Sequence, residues 1–286
     1  MRHPKFLFLA LASGLALAGC ENTGDSDVNR AVEAINAIDD TELSSVMLHT
    51  TDPTDAVAYF QRASSQKPDR IDLKRGLAIS LVRARQVQSS IPVWKEVIAH
   101  PESTPDDSLG LADALIRAGE WDQAEAVLNS IPPTHETFRR YRLEAMIADS
   151  NQQWKKADSF YEIAVGLTTQ PANVLNNWGY SKLNRGDYTA AERLFGEALR
   201  YDPTLFTAKN NIALARGAQR NYTLPVVQMS QIERAQLLHT LGLAAVKQGD
   251  IATGKGLLKE AVETHPQHFE AAARALAALD QNVVIN

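Results

Sequence analysis

Three kinds of residue in this chain have types and spacings that chemistry could use: histidines, paired carboxylates and asparagines. His265 and His268 lie three apart, which on a helix would put both rings on one face. Pro266 between them argues against a helix, and two histidines without a third ligand make a poor metal site. The pairs Asp39-Asp40 and Asp106-Asp107 precede helical stretches, where negative charge favours the positive end of a helix, so capping rather than acid–base work is expected of them. No Gly-x-Ser-x-Gly elbow, phosphate-cradling glycine loop or His-Glu-x-x-His run occurs in the 286 residues. Enzymatic chemistry is therefore not expected. The asparagines offer more. Asn177 and Asn211 stand 34 residues apart, and each side-chain amide both donates and accepts. A ladder of such amides grips the backbone of an extended peptide whatever its side chains. Asn173, Asn176 and Asn210 enrich the same region, with Tyr180 and Lys209 nearby.

The single cysteine has another use. Cys20 ends a segment that begins Met1-Arg2-His3-Pro4-Lys5, runs apolar from Phe6 to Ala16 and closes on Leu17-Ala18-Gly19. A basic start, a short apolar run and small residues before a cut describe a secretory leader, and the run is too short for a spanning helix of about 20 residues. Leu17-Ala18-Gly19-Cys20 resembles the bacterial lipobox. That resemblance implies a leader over 1–19, with Cys20 acylated as the mature N-terminus by diacylglycerol and an N-acyl chain. Two or more chains make a stable anchor where one does not. Residues 20–36 then read as the lipidated cysteine and a polar tether. Glu21 follows the cysteine where aspartate would favour the inner membrane, which points to the periplasmic face of the outer membrane. With a net charge of −5, the chain has no electrostatic case for wrapping nucleic acid. No cofactor besides the lipid is expected.

The elements that must position the asparagines repeat. The clearest unit runs from Ala172 to Leu205 and contains Trp178-Gly179, Gly186-Asp187-Tyr188, Ala191, Phe195, Ala198 and Pro203. These residues resemble the tetratricopeptide repeat, two antiparallel helices with small residues where they cross and a proline at the end. Ala56, Phe60, Ala63 and Pro68 repeat the intervals of Ala191, Phe195, Ala198 and Pro203, as do Trp154, Ala157, Tyr161 and Ala164 in part. Leu241-Gly242, Gly249-Asp250, Leu258, Ala261 and Pro266 give another copy; Leu77-Ala78 with Trp94, and Leu111-Ala112 with Trp121, mark weaker ones. Each pair has apolar residues on both faces and cannot bury them alone, so the units must stack. The expected fold is all-α: a helical-hairpin solenoid over 37–286, about seven repeats wound as a right-handed superhelix, with Phe269 to Leu279 as the capping helix.

From Ala213 to Gly242 the spacing is five residues shorter than from Gly179 to Ala213, and Pro225 falls where the second helix should carry its small residue. A shortened, irregular or kinked helix over Tyr222 to Ser230 is expected there. In a tetratricopeptide stack the first helix of each pair lines the concave surface. Asn177 and Asn211 are then two rungs of a groove, with Gly76, Gly110 and Thr240 in the matching places elsewhere.

Cys20, Asn176-Asn177-Trp178-Gly179, Gly186-Asp187-Tyr188 and Asn210-Asn211-Ile212-Ala213-Leu214-Ala215 together resemble the TadD family, the lipoproteins of tight-adherence (Flp) pilus assembly; Trp178 departs from that family's usual leucine. The resemblance implies a periplasm-facing accessory whose partners are pilus or secretion-system proteins such as a secretin. The alternative is an envelope adaptor for cell-wall enzymes or outer-membrane protein assembly.

Overall fold

The structure, a computed structural model, describes residues 43–283. The expected leader, Cys20, the tether and Asp39-Asp40 lie outside the described residues. The described residues contain helices and no strands, most of them joined by short turns: α1 (43–49), α2 (Pro53–Gln66), α3 (Ile71–Arg83), α4 (Val87–Ile98), α5 (Pro105–Ala118), α6 (Trp121–Asn129) and α7 (Phe138–Ser150). There follow α8 (Trp154–Gly166), α9 (Ala172–Asn184), α10 (Tyr188–Tyr201), α11 (Phe206–Ala218), α12 (Gln231–Lys247), α13 (Ile251–Thr264) and α14 (Glu270–Val283).

Local chemistry accounts for the element ends. Gly186 sits at φ +78°, a left-handed conformation that favours glycine, and lets the chain reverse between α9 and α10. Asp187 then caps α10 by accepting from the Ala190 N–H at 3.2 Å, and Asp250 caps α13 in the same way through Thr253. Asp107 takes the expected capping role: its carboxylate accepts from the Thr104 N–H at 2.8 Å. It also receives Arg75 of α3 in a bidentate pair, 2.7 Å to each oxygen.

Helices adjacent in sequence pack together, and α3, α5, α7, α9 and α11 also touch one another in series. A curved stack crowds its helices on the inside, so this row is the concave face and the alternate helices form the outer layer. The apolar core is a string of clusters rather than one centre. Phe60 and Leu73 begin it, Leu109, Leu115 and Leu143 continue it, and then come Tyr161 with Val174, Phe195 with Ile212, and Leu237 with Leu241. The expected solenoid is the observed fold.

Close crossings rest on glycine beneath a large side chain. A Cβ added at Gly179 would lie 2.6 Å from the Phe195 ring, and one at Gly242 would lie 2.9 Å from Leu258. The same device joins α4 to α5, where a Cβ at Gly110 would meet Trp94 at 2.5 Å, and joins α2 to α3 through Phe60 and Gly76. Gly76 and Gly110, which hold the places of Asn177 and Asn211 in earlier repeats, are here the sockets for aromatic rings of the preceding helix.

The irregular unit departs further from the repeat than expected. Residues 221–230 contain no helix at all, and α11 packs directly on α12. Proline cannot donate a helical hydrogen bond, and the segment's backbone finds other partners. Arg216 of α11 donates to the Leu224 carbonyl at 2.9 Å while its Nε holds Glu192 of α10 at 2.7 Å. Leu224 and Met229 pack against Ala213, Leu237 and Leu241, filling the volume a second helix would have occupied.

Candidate functional site

On the concave face, α7, α9 and α11 enclose a groove of about 500 Å³. Asn176, Asn177 and Tyr180 reach it from α9, and Asn210 and Asn211 from α11. Five of the seven expected groove residues are thus brought together by the repeat, because residues 34 apart take the same face of successive first helices.

Two expected members stand elsewhere. Asn173 is one turn earlier on α9 and lines a separate depression with Phe138, Arg139 and Arg142. Lys209 is buried at 3% exposure, with its ammonium 2.9 Å from Glu233. Glu233 also accepts from the Ser230 N–H at 2.7 Å, so Lys209 fastens the start of α12 where the missing helix would have stood. A buried, neutralised ammonium is scaffold and offers nothing to a groove.

The amides are partly engaged with one another. Thr240 Oγ1 donates to Asn210 Oδ1 at 2.8 Å, Asn211 Nδ2 donates to Asn176 Oδ1 at 3.1 Å, and Asn177 Nδ2 lies 3.6 Å from Met146 Sδ. The three contacts tie α12 to α11, α11 to α9 and α9 to α7. What is left over alternates: among the described residues, Nδ2 of Asn176 and Asn210 and Oδ1 of Asn177 and Asn211 have no hydrogen-bond partner. A donor and an acceptor recur together at each rung, the pattern an extended backbone needs.

The floor and walls were not visible as a site in the sequence. Asp149 of α7 lies at the base, accepting from Ser181 Oγ at 2.6 Å and from the Tyr161 hydroxyl at 3.0 Å. Burial pushes its carboxyl above the ordinary aspartate range, against the pull of those two hydroxyls. Burial and the Asp149 charge together raise the Tyr161 phenol well above its usual value. Trp121, Trp154 and Tyr180 form the walls. Trp121 and Trp154 each open a second helix, as Tyr188 does one repeat later, so an aromatic recurring at 33–34 residues was the available signal. Asp149 and Ser181 are 32 apart, off the repeat interval, and carried none.

Behind the groove, Asp158 of α8 gathers three donors from α9 and its C-terminal cap: Trp178 Nε1 at 2.7 Å, Lys182 Nζ at 2.9 Å and Arg185 Nη2 at 2.7 Å. Burial opposes its ionisation, but the Arg185, Lys182 and Trp178 hydrogen bonds outweigh it and hold its pKa at about 2. Trp178 therefore does what a leucine at that place could not. Among the described residues, no group of three or more His, Cys, Asp or Glu is placed to hold a metal ion, and no helix is long and apolar enough to cross a membrane.

Tetratricopeptide-repeat family profiles match residues 95–147 and 176–224. Those two stretches carry tetratricopeptide repeats. Solved structures agree in fold. The chain is similar to the human IFIT1 dimer with PPP-AAAA, at 15% identity and a TM-score of 0.59, over 81% of this chain and 60% of that one. It is similar to the APC/C hetero-tetramer Cut9–Hcn1, at 14% identity and 0.57, over 83% and 48%. A tetratricopeptide repeat protein from Parabacteroides merdae matches at 14% identity and 0.54, over 83% of this chain and 96% of its own. The chain thus spans about half to three fifths of the first two and nearly all of the third. No curated protein matches it.

Proposed function

We propose that this tetratricopeptide-repeat chain is a non-enzymatic, periplasm-facing scaffold, held by lipid on Cys20 at the outer membrane, that binds an extended segment of a protein partner and aids assembly of a Flp-type pilus or its secretin. The observation that carries the binding role is the groove across α7, α9 and α11, where amide donors and acceptors recur one repeat apart between aromatic walls. Tetratricopeptide-repeat proteins are in general scaffolds of this kind. The anchor rests on Leu17-Ala18-Gly19-Cys20, and the pilus assignment on the resemblance at Asn176 to Gly179 and Asn210 to Ala215.

Two experiments test the parts separately. Asn177→Ala with Asn211→Ala should weaken partner capture about thirtyfold, at roughly 1 kcal/mol for each of the two hydrogen bonds lost, with helix content unchanged by circular dichroism. Unaltered pull-down would dispose of the groove. Cys20→Ala should leave the protein folded but released into the periplasmic fraction; continued membrane association would count against the lipid anchor. Crosslinking in the native envelope should then attach a secretin or another pilus component. A cell-wall enzyme or an outer-membrane assembly factor in its place would overturn the pilus assignment and leave the scaffold role standing.

A further inference from the structure

The groove's charge narrows what it can take. Asp149 is the one carboxylic residue lining it; no lysine, arginine, histidine or glutamate joins the lining. Its carboxylate accepts from two hydroxyls and has no cation within ion-pair distance among the described residues. The one cation of the chain whose charge reaches it, Arg185, lies beyond ion-pair distance and is already paired with Asp158. An ionised carboxylate has about four lone-pair sites, and two here are unused. Partial burial strengthens whatever attraction an incoming cation would feel. The walls suit a cation as well. Trp121, Trp154 and Tyr180 are 38%, 38% and 50% exposed beside the groove, and Arg185 already lies 5.3 Å from the Trp154 ring centre. Trp154 is thus already stacked by a guanidinium of the chain itself, and Trp121 and Tyr180 are the walls left for an incoming cation.

We infer that the groove recognises an extended peptide that places one lysine or arginine side chain over Asp149, between the aromatic walls, while the asparagine amides hold its backbone. This rests on the peptide-binding reading above and adds the residue class that the partner must present. An acidic side chain in the same place would meet Asp149 and be rejected.

The test uses the full chain in detergent and four pools of fluorescein-labelled peptides. Their flanks are random and uncharged, and the central residue is lysine, arginine, norleucine or glutamate; binding is read by fluorescence anisotropy. The lysine and arginine pools should bind about tenfold more tightly than norleucine, and the advantage should shrink with added salt. Glutamate should bind most weakly. Asp149→Asn keeps a partner for Ser181 and Tyr161 but removes the charge. It should bring lysine and arginine binding down to the norleucine level measured with the same variant. If Asp149→Asn melts early, Tyr180→Ala, which truncates a half-exposed ring, should reduce the basic preference in a folded protein. Equal binding of all four pools, still lost in the Asn177→Ala, Asn211→Ala variant, would overturn the basic-residue inference and keep the groove. A glutamate preference, or a lysine preference that survives Asp149→Asn in the folded protein, would also overturn it. Binding of no pool in an asparagine-dependent way would remove both the inference and the groove reading beneath it.

Discussion

Leucine at Gly179 is expected to destabilise the protein by about 3 kcal/mol, measured as a lowered midpoint in thermal or urea denaturation. The Cβ alone would stand 2.6 Å from the Phe195 ring, closer than carbon atoms approach without displacement. Phe195 has nowhere to go. It is fully buried among Ala191, Leu194, Ala198 and Ile212, so α9 and α10 must separate and forfeit their dispersion contacts. The same logic predicts a partial rescue. Gly179→Ala and Phe195→Leu should each destabilise, but together by less than their sum, with a coupling of about 1 kcal/mol. An unchanged midpoint for Gly179→Leu would mean that the helices do not cross there. Because α9 carries Asn176, Asn177 and Tyr180, the variant should also lose partner capture, which a substitution that merely lowers stability elsewhere in the stack would not do at permissive temperature.

The second large effect belongs to Asp158. Asp158→Ala leaves the Trp178 N–H without its acceptor and the Lys182 and Arg185 cations without a counter-charge, for an expected loss of roughly 2–3 kcal/mol. The direction with pH follows from the depressed pKa. The carboxyl titrates at about 2 in the folded chain against 3.8 as its ordinary value, so its stabilisation is fully present above pH 3.8 and lost as pH falls toward 2. A shift of this size would be worth a little over 2 kcal/mol in full; the partial exposure of the site screens it to roughly 1 kcal/mol. The wild type should therefore lose that much between pH 4 and pH 2, and Asp158→Ala should lack this part of the acid slope. Identical slopes would show that the cluster does not hold α8 to α9. This joint bears on function, since it positions α9, the helix that contributes the most groove residues, against α8 and its wall residue Trp154.

Several features of the fold follow from side-chain types and intervals alone. Gly179, Ala191, Phe195 and Ala198 mark where two helices must touch, and Gly186-Asp187 marks where the chain must turn. Both requirements are local, so they are legible wherever the residues recur. The five groove residues were legible for the same reason: a repeat of 34 places like residues on like faces. What escaped lies off that interval. Asp149 meets Ser181 and Tyr161 across three different helices, and nothing in their spacing distinguishes this from three unrelated polar side chains. Lys209 has the position of a groove residue, yet its side chain turns to Glu233 because the helix that should separate α11 from α12 is absent.

The sequence by itself therefore determined the architecture: paired helices, their order, their crossings and the face that carries the asparagines, because each depends on residue size and helical period within one or two repeats. Only the tertiary structure decided which amides are spent between helices and which stay open. It also decided that a single carboxylate forms the groove floor, and that residues 221–230 give up helix altogether. Those outcomes depend on which hydrogen-bond partner is nearest in space, and a repeat interval does not carry that distance.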